Sequence, residues 1–210
     1  EMDWMVGQIA GLLDSLQIAK NTLIIFTSDN GPVLDDGYED GAAALTADHR
    51  PSGIYRGGKY SAFEAGTRVP AITCWPGAIQ PGISDALCSQ IDLVASIAAL
   101  TGRELPPGTA ADSHNALDVL LGRSTNNRQY LLEESYTLSL RLGEWKYIAP
   151  QEKPTPDWLK NKTIETGLGP TPQLYNLKND PGEKDNLAGR RPEKVAELKT
   201  MMEKIKNNDR

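Results

Sequence analysis

Apolar residues along the chain follow two different rhythms. Met2, Met5, Val6, Ile9, Leu12, Leu13 and Leu16 recur at helical spacing and predict an amphipathic helix over 2–18. Leu23, Ile24, Ile25 and Phe26 then run without a polar break, the pattern of a strand covered on both faces, which predicts a buried strand over 22–28. VPAITCWPG (69–77) reads as a second short buried strand, closed by Pro76-Gly77. IDLVASIAALT (91–101) returns to helical spacing, with Asp92 favourable near its N-terminus and Gly102 as the stop. Residues 31–57, rich in Gly, Asp, Ala and Pro, predict a long loop, and loops of that length in compact domains are usually functional or disordered. Helix, strand, loop, strand and helix in succession predict an α/β architecture.

The character of the pattern changes near residue 125. YLLEES (130–135) predicts a strand, LSLRLGEWKYIAP (138–150) a hairpin turning at Gly143-Glu144, and QLYNL (173–177) a further strand. A Pro-, Gly- and Thr-rich segment (150–172) and a turn-rich link, DPGEKDN (180–186), separate these pieces. From Pro192 onward Val195, Leu198, Met201, Met202 and Ile205 predict a docked amphipathic helix. The reading is therefore an α/β portion over 1–125 and a small antiparallel sheet with a covering C-terminal helix over 126–210.

Composition narrows the classes. No apolar stretch approaches the roughly 20 residues that cross a bilayer, so no transmembrane helix is expected. A formal charge of −6 argues against a nucleic-acid partner, which favours basic surfaces, and leaves a small anionic ligand open because local charge decides that. Two cysteines, Cys74 and Cys88, are too few for a disulfide framework. There is no signal-peptide pattern, and a helix whose first turn begins at residue 1 reads as part of something longer.

Three short stretches carry candidate chemistry. Asp29-Asn30-Gly31 follows the first strand, and a carboxylate beside an amide carbonyl offers hard oxygen donors suited to calcium or magnesium. Ligands of open α/β sheets bind beyond the carboxyl ends of strands, where this pair falls, although Asn-Gly is equally a common turn dipeptide. In YRGGKYSAFEAGTRVP (55–70), Gly57-Gly58 allows close backbone approach and Lys59 supplies a compact positive charge for an anion. Arg56, Lys59, Glu64 and Arg68 also satisfy the alternative of a surface ion-pair network, and the glycine spacing is not that of a phosphate-binding loop. His49 in ADHRPSG is a residue type that donates protons near neutral pH, as is His114 in DSHNALD, and a lone loop histidine is more often simply exposed.

Taken in order, NTLIIFTSDNGP, RGGKYSAFEAGTRVPAITCWPG, IDLVASIAALTG, LRLGEWKYI and QLYNLKNDPGEKDNLA resemble the C-terminal half of a sulfatase of the arylsulfatase type, in the alkaline phosphatase-like superfamily. The resemblance covers essentially the whole chain. It implies hydrolysis of sulfate esters by a formylglycine made from a Cys or Ser in a C/S-x-P-x-R motif. It also implies a calcium ion held partly by the Asp-Asn pair, here Asp29 and Asn30, and a sulfate-contacting lysine, here Lys59. His49 takes the place of a substrate-facing histidine that donates a proton to the leaving oxygen. A sulfated small molecule or carbohydrate is the implied ligand, and a periplasmic or secreted location the implied compartment.

The nucleophile motif is missing from these 210 residues. Cys74-Trp75-Pro76-Gly77-Ala78 has the Cys and Pro but Ala78 where arginine is required, and Cys88 fits no better. The early acidic calcium ligands are missing too. The expectation is a piece of an enzyme that is inactive alone, binds calcium weakly and self-associates through exposed faces. A related phosphodiesterase or phosphonate hydrolase, and a non-catalytic pseudoenzyme or glycan-binding module, are the competing readings. Sugar substrates fit the polar loop 33–52, with Asp35, Asp36, Glu39 and Asp40, and the aromatic Trp158; Asn161-Lys162-Thr163 has the form of a glycosylation sequon.

Overall fold

The computed structural model describes residues 1–33, 35–38, 40–46, 48–151, 154–160 and 164–207; Glu39 of the acidic loop and the sequon Asn161-Lys162-Thr163 lie outside the described residues. In chain order the elements are α1 (Met2–Ser15), β1 (Ile24–Thr27), α2 (Ala42–Leu45), α3 (Glu64–Thr67), β2 (Ala71–Cys74), α4 (Asp92–Leu100), α5 (Leu117–Leu120), β3 (Tyr130–Glu134), β4 (Leu138–Leu142), β5 (Trp145–Ile148), α6 (Asp157–Lys160), β6 (Gln173–Asn176) and α7 (Pro192–Lys206). They fall into two compact units, one of residues 1–27 and 70–128, the other of 28–69 and 129–210. The long loop of the sequence, with the GGK stretch, thus groups with the C-terminal sheet. No described helix is long and apolar enough to cross a membrane.

In the first unit β1 and β2 pair antiparallel, Ile24 opposite Cys74 and Thr27 opposite Ala71. Both were expected to be buried; β1 is half-buried throughout and β2 is mostly exposed. The helix α1 forms as its periodicity predicts but buries none of its residues, and Trp4 is 65% and Leu12 58% exposed. Among the described residues this sheet has two strands, so apolar side chains that read as interior have no second layer to cover them. What order the unit has centres on Asp92. Its buried carboxylate accepts from Arg128 Nε at 2.8 Å and from the backbone N–H groups of Ser89 and His114, each at 2.9 Å. Burial would raise this carboxyl, but the Arg128 guanidinium and those N–H donors hold it below the usual carboxylate range. Asp92 was expected as a helix-end charge; it is in fact the anchor of a buried ion pair. Cys74 and Cys88 are free thiols.

The second unit is a four-stranded antiparallel meander in the order β3-β4-β5-β6. Gly143, at φ +57°, makes the predicted hairpin turn between β4 and β5. Strand alternation gives the sheet two different faces. Leu140, Tyr147 and Leu174 sit opposite one another on adjacent strands and pack on Leu198 and Met202 of α7. Fully burying each of these side chains contributes about 1.5–3 kcal/mol. Pro192 opens α7, Glu193 lies in its first turn, and Lys204 and Lys206 lie in its last, matching the helix dipole. The other face, with Ile148 and Tyr175, is covered by Ala62 and Phe63 from the GGK stretch. The segment that carries the candidate lysine is therefore clamped to a hydrophobic sheet.

Candidate functional site

The site is built where two backbone segments of the second unit touch. Gly31 N–H donates to Gly66 O at 3.0 Å, and Lys59 N–H donates to Pro32 O at 2.9 Å, tying residues 30–32 to 57–66. The contact is too close for side chains. A Cβ on Gly31 would lie 1.6 Å from Ala65 O, and one on Gly66 would lie 2.0 Å from Ser61 O. The glycine of Asp-Asn-Gly is thus required by a neighbour 34 positions away, beyond any need of the local turn.

Behind this contact sits a buried charge cluster. Lys146 of β5, fully buried, donates to Glu64 Oε1 at 3.1 Å and lies 3.8 Å from both Glu133 Oε2 and Glu183 Oε1. Arg68 and Arg141 each reach Glu64 Oε2 at 3.3 Å. Glu183 Oε2 accepts the Glu64 N–H at 2.6 Å, fixing the start of α3. Burial alone would raise the Glu64 carboxyl, but Lys146, Arg141 and Arg68 hold it below its ordinary value. Burial pushes the Glu183 carboxyl up to about 7 against the pull of Lys146. Lys146 itself is held above its ordinary value by Glu64, Glu133 and Glu183, which outweigh its own desolvation.

Arg56 is equally committed. It donates to Glu165 Oε1 at 2.9 Å and to Glu183 O at 2.8 Å, and its guanidinium stacks 4.1 Å from the Phe63 ring centroid. So Arg56, Glu64 and Arg68 form the ion-pair network that was one of the two readings of this stretch. Lys59 stays outside it: it makes no ion pair among the described residues, and its Nζ lies 5.2 Å from the Tyr60 ring centroid.

Asp29, Asn30 and Lys59 line one cavity of about 610 Å³, with Tyr60, Gly66, Thr67, Glu134, Ser135, Tyr136, Gln151, Pro154 and Pro156. Asp29 is exposed and Asn30 half-buried. The Asn30 side-chain N–H donates to Gly31 O at 2.9 Å, which leaves its carbonyl oxygen as the coordinating end. These oxygens suit a hard cation, but they are part of a shell only. No three His, Cys, Asp or Glu side chains among the described residues could jointly hold a metal. His49 is exposed in the loop, its N–H donating to Thr46 O at 2.8 Å, and is not among the residues lining the cavity. His114 lies in the other unit.

Sequence reasoning missed Tyr60, Glu134, Tyr136 and Gln151 as wall residues. The segments that bring them meet only through the antiparallel sheet, and no local motif marks them. Tyr60 (φ +73°) and Tyr136 (φ +57°) both hold left-handed backbone, a conformation that costs a non-glycine residue about 1–2 kcal/mol.

Comparison with known proteins identifies the family. The family model for sulfatases matches residues 1–103. The chain is 48% identical over 209 residues to an N-acetylgalactosamine-6-O-sulfatase of Bacteroides thetaiotaomicron, covering 98% of the chain and 40% of that relative. It is 33% identical over 217 residues to human arylsulfatase A, covering 96% of the chain and 41% of the relative. A solved structure from Bacteroides thetaiotaomicron, described under the metabolism of multiple glycosaminoglycans, superposes with a TM-score of 0.92 at 48% identity, covering 98% of this chain and 43% of that one. The PsFucS1 sulfatase from Pseudoalteromonas superposes with a TM-score of 0.72 at 26% identity, over 97% of this chain and 40% of that one. The chain thus spans about two fifths of the length of the relatives it matches.

Proposed function

The chain belongs to the sulfatase family, as a stretch matching a C-terminal part of its members, and on that premise we propose that it contributes half of a sulfate-ester hydrolysis site. The substrate proposed is a sulfated carbohydrate, the class named for the bacterial relative. One observation carries the reading: Asp29, Asn30 and Lys59 converge on a single cavity while the neighbouring charges Arg56, Glu64 and Arg68 are held in structural ion pairs. A compact ammonium with no carboxylate partner among the described residues is suited to an anionic oxygen.

In this reading Asp29 and Asn30 are two oxygen ligands of a calcium ion, and the remaining ligands come from outside these 210 residues, as does the formylglycine nucleophile. Bound calcium would supply charge stabilisation at the sulfate oxygens. Lys59 binds the same oxygens and orients the ester. His49 is assigned proton donation to the leaving oxygen on family resemblance, although it is exposed and is not among the residues that line the cavity. The compartment proposed is periplasmic or extracellular. Self-association through α1 is also proposed, since that helix exposes its apolar face.

The test is made on a protein of the relatives' length that includes this chain. Lys59→Ala is expected to lower kcat/KM for a sulfated monosaccharide at least about a hundredfold. Asp29→Ala is expected to raise the calcium needed for half activity at least about tenfold. Full activity in either variant would overturn the assignment. A preference for phosphodiesters over sulfate esters would transfer the site to phosphoryl chemistry.

A further inference from the structure

We propose that Trp158, Tyr60 and Tyr136 form a stacking wall for a sugar ring at the cavity that carries Asp29, Asn30 and Lys59; this rests on the sulfate-ester reading and adds to it the recognition of the carbohydrate itself. Tyr60 and Tyr136 line the cavity. The Trp158 ring stands edge-on to both, 4.8 Å from Tyr60 at 75° and 6.3 Å from Tyr136 at 61° between centroids and planes. Such edge-to-face contacts fix the orientation of a ring without covering it.

A satellite core would bury these rings, and this cluster does not. Trp158 is 43% and Tyr136 38% exposed, whereas Leu159, the next residue of α6, is 3% exposed. α6 is therefore anchored by Leu159 and presents the indole outward. Two of the three aromatics also sit on left-handed backbone, at φ +73° for Tyr60 and +57° for Tyr136. Strained non-glycine backbone persists where the surrounding structure over-determines it, and such residues cluster at functional sites. The polar part of the same wall, Thr67, Glu134, Ser135 and Gln151, offers hydrogen-bond partners at the edge of the cavity. A pyranose carries both complements, an apolar C–H face for the rings and hydroxyls around its rim. A flat arene lacks the second.

The experiment titrates the full chain by saturation-transfer NMR. The probes are the methyl glycoside of a 6-O-sulfated hexosamine, its unsulfated counterpart, an aryl sulfate and inorganic sulfate. Expected are transfer to the ring protons of both glycosides and tighter binding of the sulfated one. Trp158→Ala should weaken both glycosides about tenfold and leave inorganic sulfate unchanged, with Trp158→Phe restoring most of the affinity. An unchanged thermal midpoint in Trp158→Ala separates recognition from packing. If neither glycoside shows transfer at millimolar concentration, the proposal is overturned. The same holds if Trp158→Ala leaves glycoside binding unchanged, or if only the aryl sulfate depends on Trp158. If both glycosides bind equally, depend on Trp158 and are indifferent to Lys59→Ala, the stacking wall stands and the sulfate-ester reading falls.

Discussion

Replacing Lys146 with methionine tests how the site is held. The ammonium is fully buried and has carboxylate oxygens at 3.1, 3.8 and 3.8 Å, from Glu64, Glu133 and Glu183. At an effective dielectric of about 20, unit charges 3.1 Å apart attract by roughly 5 kcal/mol, and desolvation of the two ions offsets part of that. Methionine keeps most of the length and apolar volume, so cavity formation is a small contribution. What remains is Glu64 with Arg68 and Arg141 alone, and Glu183 buried without the ammonium beside it. Breaking a buried pair from one side costs about 3–5 kcal/mol. For a chain of this size that lowers the melting midpoint by about 6–20 °C. The assay is urea unfolding of the parent, Lys146→Met, Glu64→Gln and the double variant. The loss in the double variant should differ from the sum of the two single losses, because Lys146 and Glu64 interact directly. A single variant within about 1 kcal/mol of the parent would refute the reasoning, and Lys146 would then be a bystander to α3. The consequence reaches the cavity, since Glu64 begins the helix that follows Lys59 by five residues.

Three further outcomes follow from the geometry. Glu183 has its carboxyl raised to about 7, so the folded state holds this proton more tightly than the unfolded state; stability should be greatest below about pH 4.5 for this group and fall as pH rises to about 7. Glu64, lowered instead, contributes stability that is lost as pH falls through its folded value. Glu183→Gln should therefore flatten the slope between pH 5 and 7 in urea midpoints, by an amount of order 3 kcal/mol, and an unchanged slope would contradict the assignment. Gly31→Ala places a methyl group 1.6 Å from Ala65 O and should cost about 3 kcal/mol or more, read as a loss of Lys59-dependent sulfate binding together with a lower unfolding midpoint. Ile9→Lys with Leu12→Lys, at positions 55% and 58% exposed, should abolish concentration-dependent self-association in sedimentation velocity, while a parent chain that stays monomeric throughout would remove the proposed contact.

What sequence made legible was local, and what it hid was made by contacts across the sheet. The hairpin at Gly143 and the helix from Pro192 depend on residues a few positions apart, and both appear as read. The apolar run Ile24–Phe26 was legible as interior, but burial is a property of the layers around a strand, and β1 has only β2 beside it among the described residues. Lys146 shows the limit most clearly. In EWKYI it alternates with apolar neighbours, as an outward-facing residue does, and only the packing of residues 61–66 over that face turns the outward side into a second interior. The same packing resolves the GGK stretch. Its four charges could not be sorted from sequence into ion pairs and ligand contacts, because Arg56 and Glu64 find partners at Glu165, Glu183, Lys146 and Arg141, far along the chain, and Arg68 joins them through Glu64. Once those partners are in place, Lys59 is the charge of the four that lines the cavity, with no carboxylate partner among the described residues. The ion-pair network and the anion site, which read as alternatives in sequence, are two parts of one arrangement: the first immobilises the loop, and the second uses the lysine it leaves over.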